Sequence, residues 1–151
     1  MPSQVSLREM QYYGNPQNAF WWIMSELLGF SVSMDYQQRA DCIRQSPFAI
    51  WDVLSECERP GSLDSSIVRS SEIVNDLPGF LDNHKSISLL VFNGGAAHSI
   101  FKRHFKHLIA SDLLNNAAVQ TLQLPSTSPA YASMKKVEKL EHWRQALIPF
   151  L

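Results

Sequence analysis

At 151 residues, with 45 % hydrophobic, 18 % charged and 11 % aromatic residues, the chain has the size and composition of one globular domain, which excludes a disordered tail, a collagen repeat and a coiled coil. Lys and Arg total 13 and Asp and Glu 14, a formal net charge of -1, so a nucleic-acid partner would have to be held by a local basic patch rather than by the field of the whole molecule. No apolar run reaches the roughly 18 residues of a bilayer span, Met1 to Gly14 lack the layout of a secretion signal, and Cys42 and Cys57 show no Cys-x-x-Cys spacing.

The elements follow in chain order. Asn15-Pro16 reads as a helix start, a capping Asn followed by a proline pre-set for the first helical position. Phe20, Ile23, Met24, Leu27 and Leu28 then form an apolar stripe that Gly29 can end. A second helix is expected over Ser33 to Arg44, with Tyr36, Ala40 and Ile43 inward. Phe48 to Leu54 is an apolar run of ambiguous type, Arg59-Pro60-Gly61-Ser62 a turn, and the polar stretch to Ser71 a loop. Asn75-Asp76-Leu77-Pro78 opens a short helix that turns Phe80 and Leu81 inward.

Ile87 to Phe92 is a continuous apolar run of the kind buried on both faces of a sheet. Asn93-Gly94-Gly95 turns it into a helix carrying Ala97, Ile100, Phe101, Phe105, Leu108 and Ile109. Val119 to Leu124 is a second strand, and Pro125-Ser126-Thr127-Ser128-Pro129 a stiff loop. Ser128-Pro129 repeats the cap-plus-proline start, ahead of a last stripe of Tyr131, Met134, Val137, Leu140, Trp143 and Leu147. Helices alternating with short strands indicate a layered α/β domain spanning 1-151.

In such folds ligands collect beyond the carboxyl ends of parallel strands. Both strands end in polar loops, at Asn93-Gly94-Gly95 and Pro125 to Pro129, and Tyr12-Tyr13-Gly14-Asn15-Pro16-Gln17-Asn18 is a third polar and aromatic loop leading to a helix. Three such loops suit a flat, polar, uncharged ligand such as a nucleobase. Each has a plainer reading alone: packing for the tyrosines, capping for Asn18, a strand-to-helix turn for the glycines. Asp52 is a candidate carboxylate that also reads as structural. Lys102, Arg103, Lys106 and His107 crowd one helix and Lys135, Lys136 and Lys139 another, either as solvated faces or as phosphate contacts. The histidines form no His-Glu-x-x-His pattern, so neither a metal nor a cofactor is expected, and the cysteine usage suits a reducing, cytoplasmic location.

Taken together, the segments resemble the hypoxanthine (deoxyinosine) branch of the uracil-DNA glycosylase superfamily. The opening, Met1-Pro2, Ser6-Leu7 and Tyr12-Tyr13-Gly14-Asn15-Pro16-Gln17-Asn18-Ala19-Phe20-Trp21, resembles that branch's Gly-Ser-Met-Pro-Gly, Ser-Leu, Tyr-Tyr-x-His-Pro-Arg-Asn-x-Phe-Trp pattern. Trp51-Asp52-Val53-Leu54, Cys57 to Asp64, Asn75-Asp76, Phe92-Asn93-Gly94 and Leu124-Pro125-Ser126-Thr127-Ser128-Pro129-Ala130 are similar too, in the same order, over nearly the whole chain.

The resemblance implies a three-layer α/β/α sandwich around a short, mainly parallel sheet. It also implies a monomeric, monofunctional enzyme that flips a deaminated base from double-stranded DNA and hydrolyses its N-glycosidic bond without a cofactor. Hypoxanthine is the implied base. Uracil or xanthine release, and a non-catalytic DNA-binding relative, are the alternatives. By position Asn18 is the implied catalytic residue, because Met1 stands where mismatch-specific relatives carry a water-placing Asn. Tyr13, Phe20 and Asn93 are expected to hold the base, and Ser126, Thr127, Ser128 and Lys102 the DNA. Asn15, Gln17 and Trp22 replace the pattern's His, Arg and Pro, and the Gly-Leu wedge of some relatives is missing. The family places a buried strand before the Met-Pro turn, so the first sheet strand is expected to be absent, with Met1 an internal start or the site of a loss.

Overall fold

A computed structural model describes residues 1–61, 63–110 and 119–151, with the side chains of all of these except 107–110. Among the described residues six α-helices and four strands follow one another: α1 (Gln4–Glu9), α2 (Phe20–Leu28), α3 (Tyr36–Arg44), β1 (Leu54–Glu56), β2 (Ile73–Val74), α4 (Leu77–Asn83), β3 (Leu89–Asn93), α5 (Gly95–Ala110), β4 (Gln120–Leu124) and α6 (Lys136–Leu147). These elements form two compact units. One comprises Met1 and Asp52–Leu124, the other Pro2–Trp51 and Pro125–Leu151.

In the first unit β3 and β4 pair in parallel, in a register running from Leu89 opposite Gln120 to Asn93 opposite Leu124. The α/β class and the parallel pair are as expected. Parallel strands need a crossover, and α5 supplies most of it. Gly94 makes the sharp entry to α5 at a φ of 97° that side chains rarely adopt. Its N–H donates to the carbonyls of Phe92 (2.9 Å) and Leu124 (3.0 Å), so one residue ties together the carboxyl ends of both strands. The core is Phe92, Phe101 and Phe105, with Val53, Leu81 and Leu90 packed around it. Leu89 to Val91 are only half-buried, so the apolar run is not enclosed on both faces in the way its composition suggested. The inward positions expected for Leu108 and Ile109, the His107 side chain and Ser62 of the turn lie outside the described residues.

The polar stretch before Val74 contains a feature that its composition hides. β1 and β2 form a small antiparallel pair, Leu54 opposite Val74. Between them the Glu72 carboxylate is buried, receiving Arg103 Nε (3.1 Å) and Nη2 (2.6 Å), with His104 Nε2 at 2.6 Å. Burial alone would push the Glu72 carboxyl up. The His104 and Arg103 hydrogen bonds, with the charge of both groups, outweigh that and hold it below its ordinary range. Asp76 caps α4 by accepting from the Gly79 N–H at 3.0 Å, as expected of an Asn-Asp-Leu-Pro start.

In the second unit α2 and α6 pack together, burying Phe20, Trp21, Ile23 and Met24 from one and Leu140, Trp143 and Leu147 from the other. Two helix starts differ from expectation. α2 begins at Phe20, because Asn15-Pro16 makes a separate turn in which Asn15 Oδ1 accepts from the Gln17 N–H at 2.9 Å. α6 begins at Lys136, because Ser128-Pro129 makes another turn, with Ser128 Oγ accepting from the Ala130 N–H at 3.2 Å. The stripe shifts accordingly, leaving Val137 and Tyr131 exposed. Gly29 ends α2 in the left-handed conformation as expected, donating to the Ser25 carbonyl at 2.9 Å. α3 starts at Tyr36 on an Asp35–Gln38 capping box, and only its Ile43 is fully buried. The helix over Gln4–Glu9, where the sequence predicts none, is capped by Ser3, whose side chain accepts from the Ser6 N–H.

Candidate active site

The opening motif is built around two small residues. Ser6, buried in α1, accepts from the Gly14 N–H at 3.0 Å, and the Gln11 N–H donates to the Ser6 carbonyl at 2.9 Å. A Cβ on Gly14 would lie 3.2 Å from the Ser6 Cα, so glycine lets the loop close onto the helix. The closure carries Tyr13 at a φ of 53°, a left-handed conformation that costs a non-glycine residue about 1–3 kcal/mol. What that strain accomplishes is visible in the ring. Tyr13 lies face to face with Phe20, centroids 3.8 Å apart and planes 18° from parallel. Phe20 is buried and held edge-on by Trp21 and Trp143. Two of the three residues expected to hold a base are thus one aromatic stack, rigid on its inner side.

Asn18 stands at the entrance to α2. Its Oδ1 accepts from the Phe20 N–H at 2.9 Å, and its own N–H donates to the Asn15 carbonyl at 2.9 Å. An N–H can bond only to the oxygen end of the amide, so this contact also decides which end is Nδ2. Among the described residues Nδ2 meets no acceptor. The side chain is half-buried, which leaves that donor available to a ligand.

The closing loop belongs to the same unit. The Ala19 N–H donates to the Thr127 carbonyl at 3.0 Å, joining the opening and closing motifs through their main chains. Thr127 is only 1 % exposed and turns inward. Ser126 and Ser128 are half-buried, and their Oγ atoms accept from the N–H groups of Ser128 and Ala130, each at 3.2 Å. Among the described residues neither hydroxyl proton has an acceptor, so both can be given to a phosphate. Asn93 and Lys102 belong to the first unit. Asn93 is the last residue of β3, and Lys102 is exposed on α5 with no ion pair among the described residues.

Lys139 is the largest departure from the sequence reading. It is 4 % exposed rather than part of a solvated basic face. Its Nζ donates to the Ser128 (3.1 Å) and Tyr131 (2.8 Å) carbonyls, and burial pushes its pKa down. Its spacing of four from Trp143, which shares a helix face with it, was the available signal. Lys136 instead covers the Trp22 ring at 4.2 Å. In the first unit Asp52 is partly buried, and that burial pushes its carboxyl up, against the Met1 amino group and with Asp64. A recess of about 360 Å3 there, lined by Glu56, Cys57, Glu58, Ser70, Ser71 and Ile73, contains none of the residues expected to act in catalysis, base binding or DNA binding. Among the described residues no cluster of His, Cys, Asp or Glu could hold a metal, and no helix is long and apolar enough to cross a membrane.

Comparison with known proteins gives two relatives. The chain is 31 % identical over 142 residues to a hypoxanthine DNA glycosylase of Methanosarcina acetivorans, covering 93 % of this chain and 82 % of the relative. It is 33 % identical over 95 residues to a protein of the same name from Methanosarcina barkeri, covering 62 % of this chain and 59 % of that one. No family model and no solved structure matches it.

Proposed function

The chain belongs to the hypoxanthine DNA glycosylase family, and from that premise we propose that it excises hypoxanthine from DNA with Asn18 as the catalytic residue and the Tyr13–Phe20 stack as the base platform. The single observation that carries the assignment is the Asn18 amide. Its oxygen is held by the Phe20 N–H, and its Nδ2 donor is left without a partner among the described residues.

The reaction breaks the bond between C1′ of the deoxyribose and N9 of the base, and the bonding electrons leave with the purine. Water supplies the hydroxyl that closes on C1′, and its proton balances the base anion. Charge therefore develops on the departing base. An amide N–H whose direction is already set by a main-chain contact can stabilise that charge without reorganising. Extrusion of the nucleotide costs a few kcal/mol, less at a mispair such as hypoxanthine makes with thymine. Stacking on Tyr13 can return about 1–3 kcal/mol of that. Ser126 and Ser128 bind phosphate through their hydroxyl protons, and Thr127 anchors the loop from inside. Asn93 contacts the base edge and Lys102 a phosphate, roles that rest on the family resemblance.

Duplexes carrying one hypoxanthine, uracil or xanthine are incubated with the protein, and abasic sites are then cleaved with alkali. Strand cleavage at hypoxanthine is expected. Cleavage at uracil alone would remove the base assignment, and cleavage of no duplex would remove the activity.

A further inference from the structure

The carbonyls of the closing loop turn inward onto helices of the same unit. Trp143 Nε1 of α6 donates to the Pro125 carbonyl (3.0 Å), the Ala19 N–H to that of Thr127 (3.0 Å), and Lys139 Nζ to those of Ser128 (3.1 Å) and Tyr131 (2.8 Å). With these carbonyls engaged, the Ser126 and Ser128 hydroxyl protons keep no acceptor among the described residues, and the exposed Tyr131 ring lies with its centroid 5.2 Å from the Lys139 ammonium. Lys139 is the one charged group in this set, and it is an unusual choice. A buried ammonium loses its hydration, and an apolar residue would fill the same position on α6 without that cost. The two carbonyls to which it donates are three residues apart, across the Ser128-Pro129 turn. No apolar side chain could hold both, and two charge-assisted hydrogen bonds define the turn's shape.

We propose that Lys139 is a positioning residue. Its buried ammonium clamps the turn from Ser128 to Tyr131, so that the loop meets DNA already in its binding shape. This rests on the glycosylase reading above. A loop that is ordered in advance does not lose its conformational freedom on binding, so the clamp acts on affinity rather than on the bond-breaking step. Lys139 touches carbonyls of its own chain and has no part in the chemistry.

The test uses the wild-type chain, K139M and K139R. Methionine keeps most of the stem's volume and removes both donors, whereas arginine keeps a cation and donors. In K139M the Ala130 and Tyr131 amides are expected to exchange with solvent at least roughly tenfold faster, while α2 and α6 amides stay protected. In single-turnover excision from a hypoxanthine duplex, the half-saturating concentration is expected to rise roughly tenfold, with the limiting rate nearly unchanged. K139R is expected to recover most of the affinity. Unchanged loop exchange and half-saturation in K139M would overturn the proposal. So would a fall confined to the limiting rate, or a chain without a cooperative melt, which would make Lys139 a strut of the whole unit. A wild-type chain that excises nothing overturns the glycosylase reading instead, and the two failures are told apart by that control.

Discussion

On the proposed reading one amide at Asn18 serves both folding and chemistry, and substitutions can separate the two. Its oxygen accepts from the N–H of Phe20, the first residue of α2, so Asn18→Ala should cost about 1 kcal/mol of stability as well as the reaction. Asn18→Asp keeps an acceptor for the Phe20 N–H and places a negative charge at a helix N-terminus, where it is favourable. We expect Asn18→Asp to melt with the wild type and still lose about 10²–10³ in single-turnover rate, because the donor is gone and a carboxylate charge opposes the anion developing on the base. Wild-type excision by Asn18→Asp would mean that the residue works through its oxygen, by orienting water. Tyr13 offers a parallel case. Tyr13→Phe retains the stack on Phe20 and should excise nearly as well as the wild type, whereas Tyr13→Ala should lose about 1–3 kcal/mol of base stacking, read as a higher half-saturating concentration of hypoxanthine duplex. Both residues were legible as candidates from their motif. Their geometry was not, because a φ of 53° and a face-to-face ring contact depend on Ser6 and Gly14 closing a loop eight residues apart.

Elements were legible where local chemistry acts alone and illegible where a turn imitates a helix start. Gly29, Asp76 and Asn93-Gly94-Gly95 did what their residue types dictate; the two strands were legible as apolar runs, whereas their parallel pairing was implied by the family resemblance. Asn15-Pro16 and Ser128-Pro129 did not. In each, the side-chain oxygen accepts from an N–H two residues on, which in sequence looks the same as a cap. α1 escaped notice because six residues that bury only Ser6 leave no periodic stripe. Glu72 was hidden for another reason: an acid in a polar stretch reads as surface, and its partners lie about thirty residues later on α5. Glu72 makes a pH prediction with a definite sign. Its folded pKa lies below its ordinary 4.5, so between the two values the unfolded chain binds more protons and stability rises with pH. The contribution is complete above about 4.5 and is lost as pH falls through the lower folded value. Glu72→Gln should cost about 1.5–3 kcal/mol at neutral pH and flatten the acid limb of a plot of Tm against pH. A limb as steep as the wild type's would show that other carboxylates control acid unfolding.

For the molecule as a whole, a net charge of -1 leaves DNA binding to particular cations, and the structure shows how few are unengaged. Arg8, Arg44, Arg59, Lys85, Arg103 and Arg144 are in ion pairs, Lys139 is buried, and Arg39 and Lys136 lie over tryptophan rings. Among the described residues Arg69, Lys102, Lys106 and Lys135 are exposed without an ion pair. Each cation that meets a phosphate releases condensed counterions and contributes about -0.9 to the slope of log K against log salt. Binding by this chain should therefore have a shallow salt dependence, no steeper than about -4 with all four cations engaged. Lys102→Ala should make that slope shallower by about one and weaken hypoxanthine duplex and undamaged duplex by the same factor, because a phosphate contact carries no base information. Fluorescence anisotropy titrations of both duplexes across a salt series measure both quantities. An unchanged slope would remove Lys102 from the DNA interface, and a loss confined to hypoxanthine duplex would move it from the phosphates to the base.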